Sequence, residues 1–433
     1  MPTQKFLPTA LLTALIGLAA QNAHAVPLEE AVQLTLKENP QVLQALSEAN
    51  EVERNIRQEQ GGYLPQLNLS AAAGREHTDN ATTTANFGDD KGLWRKESRL
   101  TLTQMLFDGG RVASAVGQQQ ARFLAAQNRL SEVMQNTSFR AIQAYLDVLR
   151  RQDLLKLAEK NVANHEKYFD KVGEQVEGGQ ASRADLKQTA GRLALAQSTL
   201  IDFRRQLQDA QATYEEIIGY APKNLVTPAF IEESELPKTQ QDAVTLALQE
   251  NPFVLAQKNN VLAAEEAVDE SYSTFFPRFD VELSAGAGED VDGSLGRNNE
   301  LLALVRMNYN LYAGGSDKAR AQSLAARKSA QESELHNAIR DIQSQVIQAW
   351  NNFTNTKASL EYLGDYVVSS EQTRDAYIDQ FDLGMRTQFD LLDSEIEAFN
   401  ANVSLTNARF DYQTAKYRIR SLLGNLAEMF RTE

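Results

Sequence analysis

The chain has 433 residues, a formal charge of −15 and no cysteine. That length accommodates about two or three ordinary domains. The acidic balance argues against nucleic acid as a partner, because neutralising phosphates takes clustered Lys and Arg, and without cysteine neither a disulfide framework nor a thiolate metal site can form.

Residues 1–25 read as a signal peptide: Lys5 gives a positive start, 11–20 is a short apolar run, and "AHA" at 23–25 is a small-x-small cleavage site. The run falls short of the ~20 apolar residues that a spanning helix needs, and no later segment is long and apolar enough to be one. The mature chain is expected to start near Val26.

From there the chain is written twice. "LKENPQVLQA" (36–45) returns as "LQENPFVLAQ" (248–257), an offset of 212 that also links Pro65 to Pro277 and Gly74 to Gly286. Further on the offset is 205: "LFDGG" (106–110) matches "LYAGG" (311–315), which sets Gly109 and Gly110 against Gly314 and Gly315. It still holds at Asp185 and Asp390. The seven-residue difference falls between Gly74 and Leu106, in the polar stretch "HTDNATTTANFGDDKG". Such a stretch reads as loop, where length changes concentrate. The expected organisation is a first structural repeat over 26–218, an irregular connector over 219–240 carrying Pro222, Pro228 and Pro237, and a second repeat over 241–433.

Both copies predict the same element order. A helix follows the Asn-Pro turn. At Pro65 and Pro277 the pattern changes to alternation: Leu67, Leu69, Ala71 and Ala73 in one copy, Phe279, Val281, Leu283 and Ala285 in the other. A second alternating run precedes each Gly-Gly turn; in the second copy Val305, Met307, Tyr309 and Leu311 interleave with Arg306, Asn308 and Asn310. These are period-2 strands with one apolar and one polar face. Then come very long helices. Residues 111–177 contain no proline, which at 1.5 Å per residue allows a helix of ~100 Å. Phe139, Ile142, Leu146 and Leu149 keep helical spacing. Phe389, Leu392, Ile396, Phe399, Val403, Thr406, Phe410, Gln413 and Tyr417 keep the 3-4 beat of coiled-coil packing.

Two strand pairs per chain, an export signal and helices too long for a compact domain point to a membrane, with the apolar strand face towards lipid. Four strands cannot close a barrel alone, yet in lipid every edge N–H and C=O must be paired. The edges must therefore pair with other copies.

The duplicated strand–strand–helical-hairpin unit, the "LFDGG" and "LYAGG" turns and the hairpin ends resemble the TolC family of outer-membrane channel-tunnels over the whole mature chain. The resemblance implies a mixed, mainly α fold. Its outer-membrane β-barrel takes four strands per protomer, is closed by trimerisation, and continues into a long periplasmic α-helical barrel. It further implies that the segments near 28–60 and 219–260 form an equatorial region.

The hairpin ends are "VEGGQASRADL" (176–186) and "FDLGMRTQFDLLD" (381–393). Capping accounts for part of them: Gly179 and Gly384 end one helix, Ser182 and Thr387 cap the next, and Asp185 and Asp390 sit three residues on. It does not account for Arg386 or Asp393. The resemblance gives these residues a use. They would form a periplasmic mouth held shut like an iris, with Asp185, Phe381, Arg386 and Arg409 as the periplasmic gate. Phe381 stands where the family has a tyrosine and Ala184 where it has a threonine, so charge pairing is expected to carry more of the closure. Asp390 and Asp393 match the acidic rings of the pore constriction, which would favour cations and bind metal ions weakly. Gly179, Ser182, Gly384 and Thr387 resemble contact sites for a periplasmic adaptor.

An enzyme is the first rival. The mature chain has only His77, His165 and His336, in different elements and without metal-ligand spacing, so no catalytic residue, cofactor or resident metal is expected. A secreted coiled-coil adhesin would explain the heptads but not the duplicated strands. The expected partners are two further copies in a homotrimer, a periplasmic adaptor, an inner-membrane transporter (an ABC ATPase or a proton-driven pump) and the lipid bilayer. The absence of cysteine excludes a lipid anchor at the mature N-terminus and leans towards type I protein secretion over small-molecule efflux.

Overall fold

A computed structural model describes residues 26–87 and 91–430; the signal peptide expected at 1–25 lies outside them. The first copy comprises α1 (Leu28–Glu38), α2 (Pro40–Gln60), β1 (Gln66–Thr78), α3 (Ala81–Phe87), β2 (Lys91–Phe107), α4 (Arg111–Glu177) and α5 (Arg183–Ile218). The second comprises α6 (Gln240–Glu250), α7 (Pro252–Tyr272), β3 (Arg278–Glu289), β4 (Arg297–Asn308), α8 (Ser316–Asp382) and α9 (Gln388–Leu423). The long helices match to the residue: α4 and α8 have 67 residues each, α5 and α9 have 36 each.

The repeated Asn-Pro phrase makes a docked corner. Asn39 Oδ1 accepts from the Gln41 N–H at 3.0 Å and caps α2, whose first residue is Pro40, a position that needs no donor. The same side chain turns its Nδ2 to the Ile217 carbonyl at the end of α5, 3.1 Å away. Asn251 repeats this, accepting from Phe253 N–H and donating to the Leu422 carbonyl of α9 at 2.8 Å. One amide thus closes a helix start and binds a helix end.

The strands form one antiparallel sheet in the order β1-β2-β3-β4. The register aligns Leu67, Leu102, Leu283 and Ala303 in one row and Leu69, Leu100, Ala285 and Leu301 in another. This face is bare in the protomer: Leu69 is 74% and Leu301 85% exposed. The opposite face carries Arg99 on Glu300 at 3.0 Å and Arg306 on Glu282 at 2.8 Å. No side chain at Gly286 crowds Arg99, its neighbour in the β2–β3 register. The outer strands β1 and β4 each have one unpaired edge.

Two local expectations need correction. The polar stretch read as loop contains α3. Asn80 Oδ1 accepts from the N–H groups of Thr82 and Thr83, which is enough to start a short helix. The second alternating run was expected to reach Leu311, but β4 ends at Asn308, which pairs with Arg278, the first residue of β3. Beyond it no strand offers a partner, and Leu311 and Tyr312 are 84% and 83% exposed.

Each Gly-Gly turn then redirects the chain through two consecutive positive φ angles, 71° and 88° at Gly109 and Gly110, 65° and 86° at Gly314 and Gly315. At Gly109 a Cβ would stand 2.8 Å from the Ser273 carbonyl; at Gly314 nothing lies within 4 Å. The asymmetry extends to the helices. Within the copies α2 packs on α4 and α7 on α8. Helix α7 also packs on α4, whereas among the described residues no helix takes the equivalent place beside α8.

The main core lies at mid-length, where α1, α6 and the connector pack across the long helices around Ile142, Tyr145, Leu146, Tyr214, Tyr417 and Leu423. Phe139 and Leu149 join it, as their spacing predicts. The coiled-coil face of α9 overlaps the expected one and is wider. Of the expected positions Leu392 and Tyr417 are buried, Ile396, Phe399, Val403, Thr406, Phe410 and Gln413 are half-buried and Phe389 is exposed, while Leu391, Ser394, Glu395, Ala398, Ala401 and Leu405 beside them are buried too. Ser394, Ala398 and Ala401 put small side chains on this buried stripe, which permits close helix packing.

Candidate functional site at the hairpin ends

The two hairpin ends are built alike. Helix α4 stops at Gly179, φ +73°, where Gln180 N–H reaches the Gln175 carbonyl at 2.7 Å and Gly179 N–H the Val176 carbonyl at 3.1 Å. Helix α8 stops at Gly384, φ +75°, with Met385 N–H on the Gln380 carbonyl at 2.8 Å and Gly384 N–H on the Phe381 carbonyl at 3.0 Å. This paired bond pattern satisfies the last carbonyls and needs a left-handed residue, hence glycine. Ser182 and Thr387 then open α5 and α9 as full capping boxes with Asp185 and Asp390. The Ser182 N–H and hydroxyl hold the Asp185 carboxyl below the usual carboxylate range.

The expected gate pair does not meet within one protomer. Asp185 is engaged by Ser182. Arg386 lies with its guanidinium carbon 4.3 Å from the centre of the Tyr377 ring and donates to Gln380 at 2.9 Å. Arg409 is exposed on α9, 19 residues beyond Asp390, or ~28 Å along the helix. Phe381 is buried with Val172 and Leu391, and the Lys171 ammonium lies 5.6 Å over its ring. Phe381 thus makes an apolar contact at the end of α8.

Other residues join the hairpins. Gln388 Nε2 donates to the Asp185 carbonyl at 2.9 Å and to the Thr189 hydroxyl. Arg192 on α5 pairs with Asp393 on α9 at 2.9 Å. Lys171 pairs with Asp382. Deeper in, Glu395 is 3% exposed and accepts from Asn164 at 2.6 Å and Tyr168 at 3.2 Å, with Arg374 3.9 Å away. His165 beside them is 1% exposed; its Nδ1 has no partner, and burial pushes its pKa down. Sequence reasoning missed these contacts. The only available signal was a charged or polar residue on a seam position, which does not identify its partner across about two hundred residues. Among the described residues of the protomer, no group of three or more His, Cys, Asp or Glu is arranged to hold a metal ion.

The family model described as outer membrane efflux protein matches residues 31–220 and 243–425. The chain is 24% identical to the outer membrane efflux protein BepC of Brucella suis, covering 98% of this chain and 91% of that one. It is 27% identical to the alkaline protease secretion protein AprF of Pseudomonas aeruginosa, covering 98% and 90%. The fold matches the Campylobacter jejuni CmeC outer membrane channel with a TM-score of 0.81 at 13% identity, over 92% of this chain and 86% of that one. The chain belongs to the outer membrane efflux protein family, the TolC-type channels of the outer membrane with a large periplasmic helical portion.

Proposed function

We propose that three copies of this chain close into one channel-tunnel, the exit duct of a type I protein-secretion system. The observation that carries the channel reading is the open sheet, with unpaired edges on β1 and β4 and one apolar face. Lipid cannot satisfy those edges. A neighbour's β1 beside β4 would close the barrel, put Leu69 and Leu301 against lipid and put the Arg99–Glu300 and Arg306–Glu282 pairs in a watery lumen. The same rotation would bring a neighbour's α2 to the unfilled place beside α8 and give Gly314 the crowded environment Gly109 already has.

In this reading the hairpin ends form the periplasmic mouth. Arg386 and Asp185, which do not meet within a protomer, would bridge adjacent protomers, and Asp390 and Asp393 would line the constriction. The exposed Leu383 and Met385 beside Gly384, with Gly179, Ser182 and Thr387, offer a surface for a periplasmic adaptor. An inner-membrane transporter would supply energy and choose the cargo. Protein secretion is favoured by the likeness to a chain named for alkaline protease secretion. Small-molecule efflux is the second reading, favoured by the likeness to an efflux protein of almost equal reach.

Detergent extraction followed by native mass measurement tests the assembly: a stable monomer with intact strand content refutes it. Deleting the gene separates the two duties. Loss of a secreted protein from the medium with unchanged drug susceptibility supports secretion; hypersusceptibility with an intact secreted fraction supports efflux.

A further inference from the structure

The two carboxylates one turn apart on α9 are not equivalent. Asp390 is held only by the Thr387 hydroxyl and N–H and makes no ion pair among the described residues. Asp393 is bound to Arg192 at 2.9 Å, and both side chains reach solvent, 45% and 29% exposed. Arg192 belongs to α5 in the first hairpin and Asp393 to α9 in the second. The nearest other link on this seam is Gln388, which spans from α9 to Asp185 and Thr189 on α5. Seam contacts of this kind are polar, so water can replace them when the hairpins part, at little cost in exposed apolar surface. The pair exists only while α5 and α9 lie together.

We infer that Arg192 is a selectivity-determining residue that sets the charge of the periplasmic mouth: it neutralises Asp393 while the hairpins are closed and leaves it bare when they separate. This rests on the reading of Asp390 and Asp393 as the constriction. The closed mouth then presents one uncompensated carboxylate per protomer, Asp390, and the open mouth two. Opening widens the mouth and makes it more cation-attracting in the same movement. A mouth that held both carboxylates bare at rest would trap multivalent cations. With the pair formed, the resting trap is weaker.

The test uses full-length assemblies in planar bilayers under a KCl gradient, with hexaamminecobalt(III) as the blocking probe. Arg192→Gln should shift the resting reversal potential towards that of K⁺ and tighten block more than tenfold, since a charge a few ångströms away is worth about fivefold per unit charge in water and the probe carries three. Adding Asp393→Asn should return both readouts towards the starting protein, and the exchanged pair R192D/D393R should restore selectivity and resting conductance together. A merely structural role would not respond to charge in this way. An unchanged reversal potential and unchanged block in Arg192→Gln overturn the inference, and so does failure of the exchanged pair to restore them. Asp390→Asn then distinguishes the two failures. A loss of selectivity there leaves the constriction reading standing without Arg192, and no change in either variant removes the constriction reading as well.

Discussion

Glu395→Leu is the perturbation that bears most directly on how the two hairpins are held together. The carboxylate is 3% exposed and accepts two hydrogen bonds, from Asn164 at 2.6 Å and Tyr168 at 3.2 Å, while Arg374 stands 3.9 Å off. Leucine fills the space but leaves both α4 donors without an acceptor. Each orphaned donor costs ~1–3 kcal/mol, and relief of the buried charge offsets part of that. The expected net loss is about 2–4 kcal/mol of local stability, felt where α9 crosses α4. Glu395→Gln should cost less, because its carbonyl keeps the bond from Asn164 while its amide donates to the Tyr168 hydroxyl, which accepts as well as donates. Replacing all three polar partners, with Leu at 164 and 395 and Phe at 168, should recover most of the loss, because no buried donor is then stranded. Hydrogen exchange of the α9 amides between 391 and 405 reads the effect. The single variant should lose protection by a factor of ten or more, since ~1.4 kcal/mol is tenfold. Full protection in Glu395→Leu, or a triple variant as unprotected as the single one, would refute the reasoning.

On the apolar sheet face, Leu102 is flanked by Leu67 and Leu283; Leu102→Arg should cost ~2–4 kcal/mol near the bilayer midplane and lower the yield of folded protein in liposome insertion assays. At the mouth, Arg386→Ser and Asp185→Ala should each raise single-channel conductance, and if the two bridge neighbouring protomers the double variant should add little; fully additive increases would mean that each residue acts on a separate restraint, Arg386 through Tyr377 and Gln380 alone. His165 gives a pH dependence. Burial lowers its folded pKa below the unfolded value of ~6.5, so the opened state takes up a proton that the packed state refuses. Protection of α4 around His165 should be flat above that pH and fall as the medium is acidified below it, and His165→Leu should remove this acid limb in hydrogen exchange.

What a local pattern encodes in this protein is legible in its sequence alone. The duplication is read by comparing the chain with itself; the alternating strands, the Gly-Gly turns, the glycine stops and the two capping boxes each lie within a short window, and their physics acts within that window: φ > 0 needs glycine, a helix start needs an acceptor, and a two-faced strand needs period 2. The need for other copies is legible too, because four strands leave edges that lipid cannot satisfy. The pairing of particular side chains is not. Glu395 meets Asn164 across 231 positions and Arg192 meets Asp393 across 201, contacts that exist only because α4 and α5 pack on α9 and set the two hairpins side by side. Packing likewise buries Ser394, Ala398 and Ala401 on α9, sets Arg386 on Tyr377 instead of Asp185, and gives Asn39 a second task at Ile217. A sequence states which donors, acceptors and charges a helix carries; which of them are satisfied depends on the neighbour that covers them, and that neighbour is chosen by the packing of the whole chain.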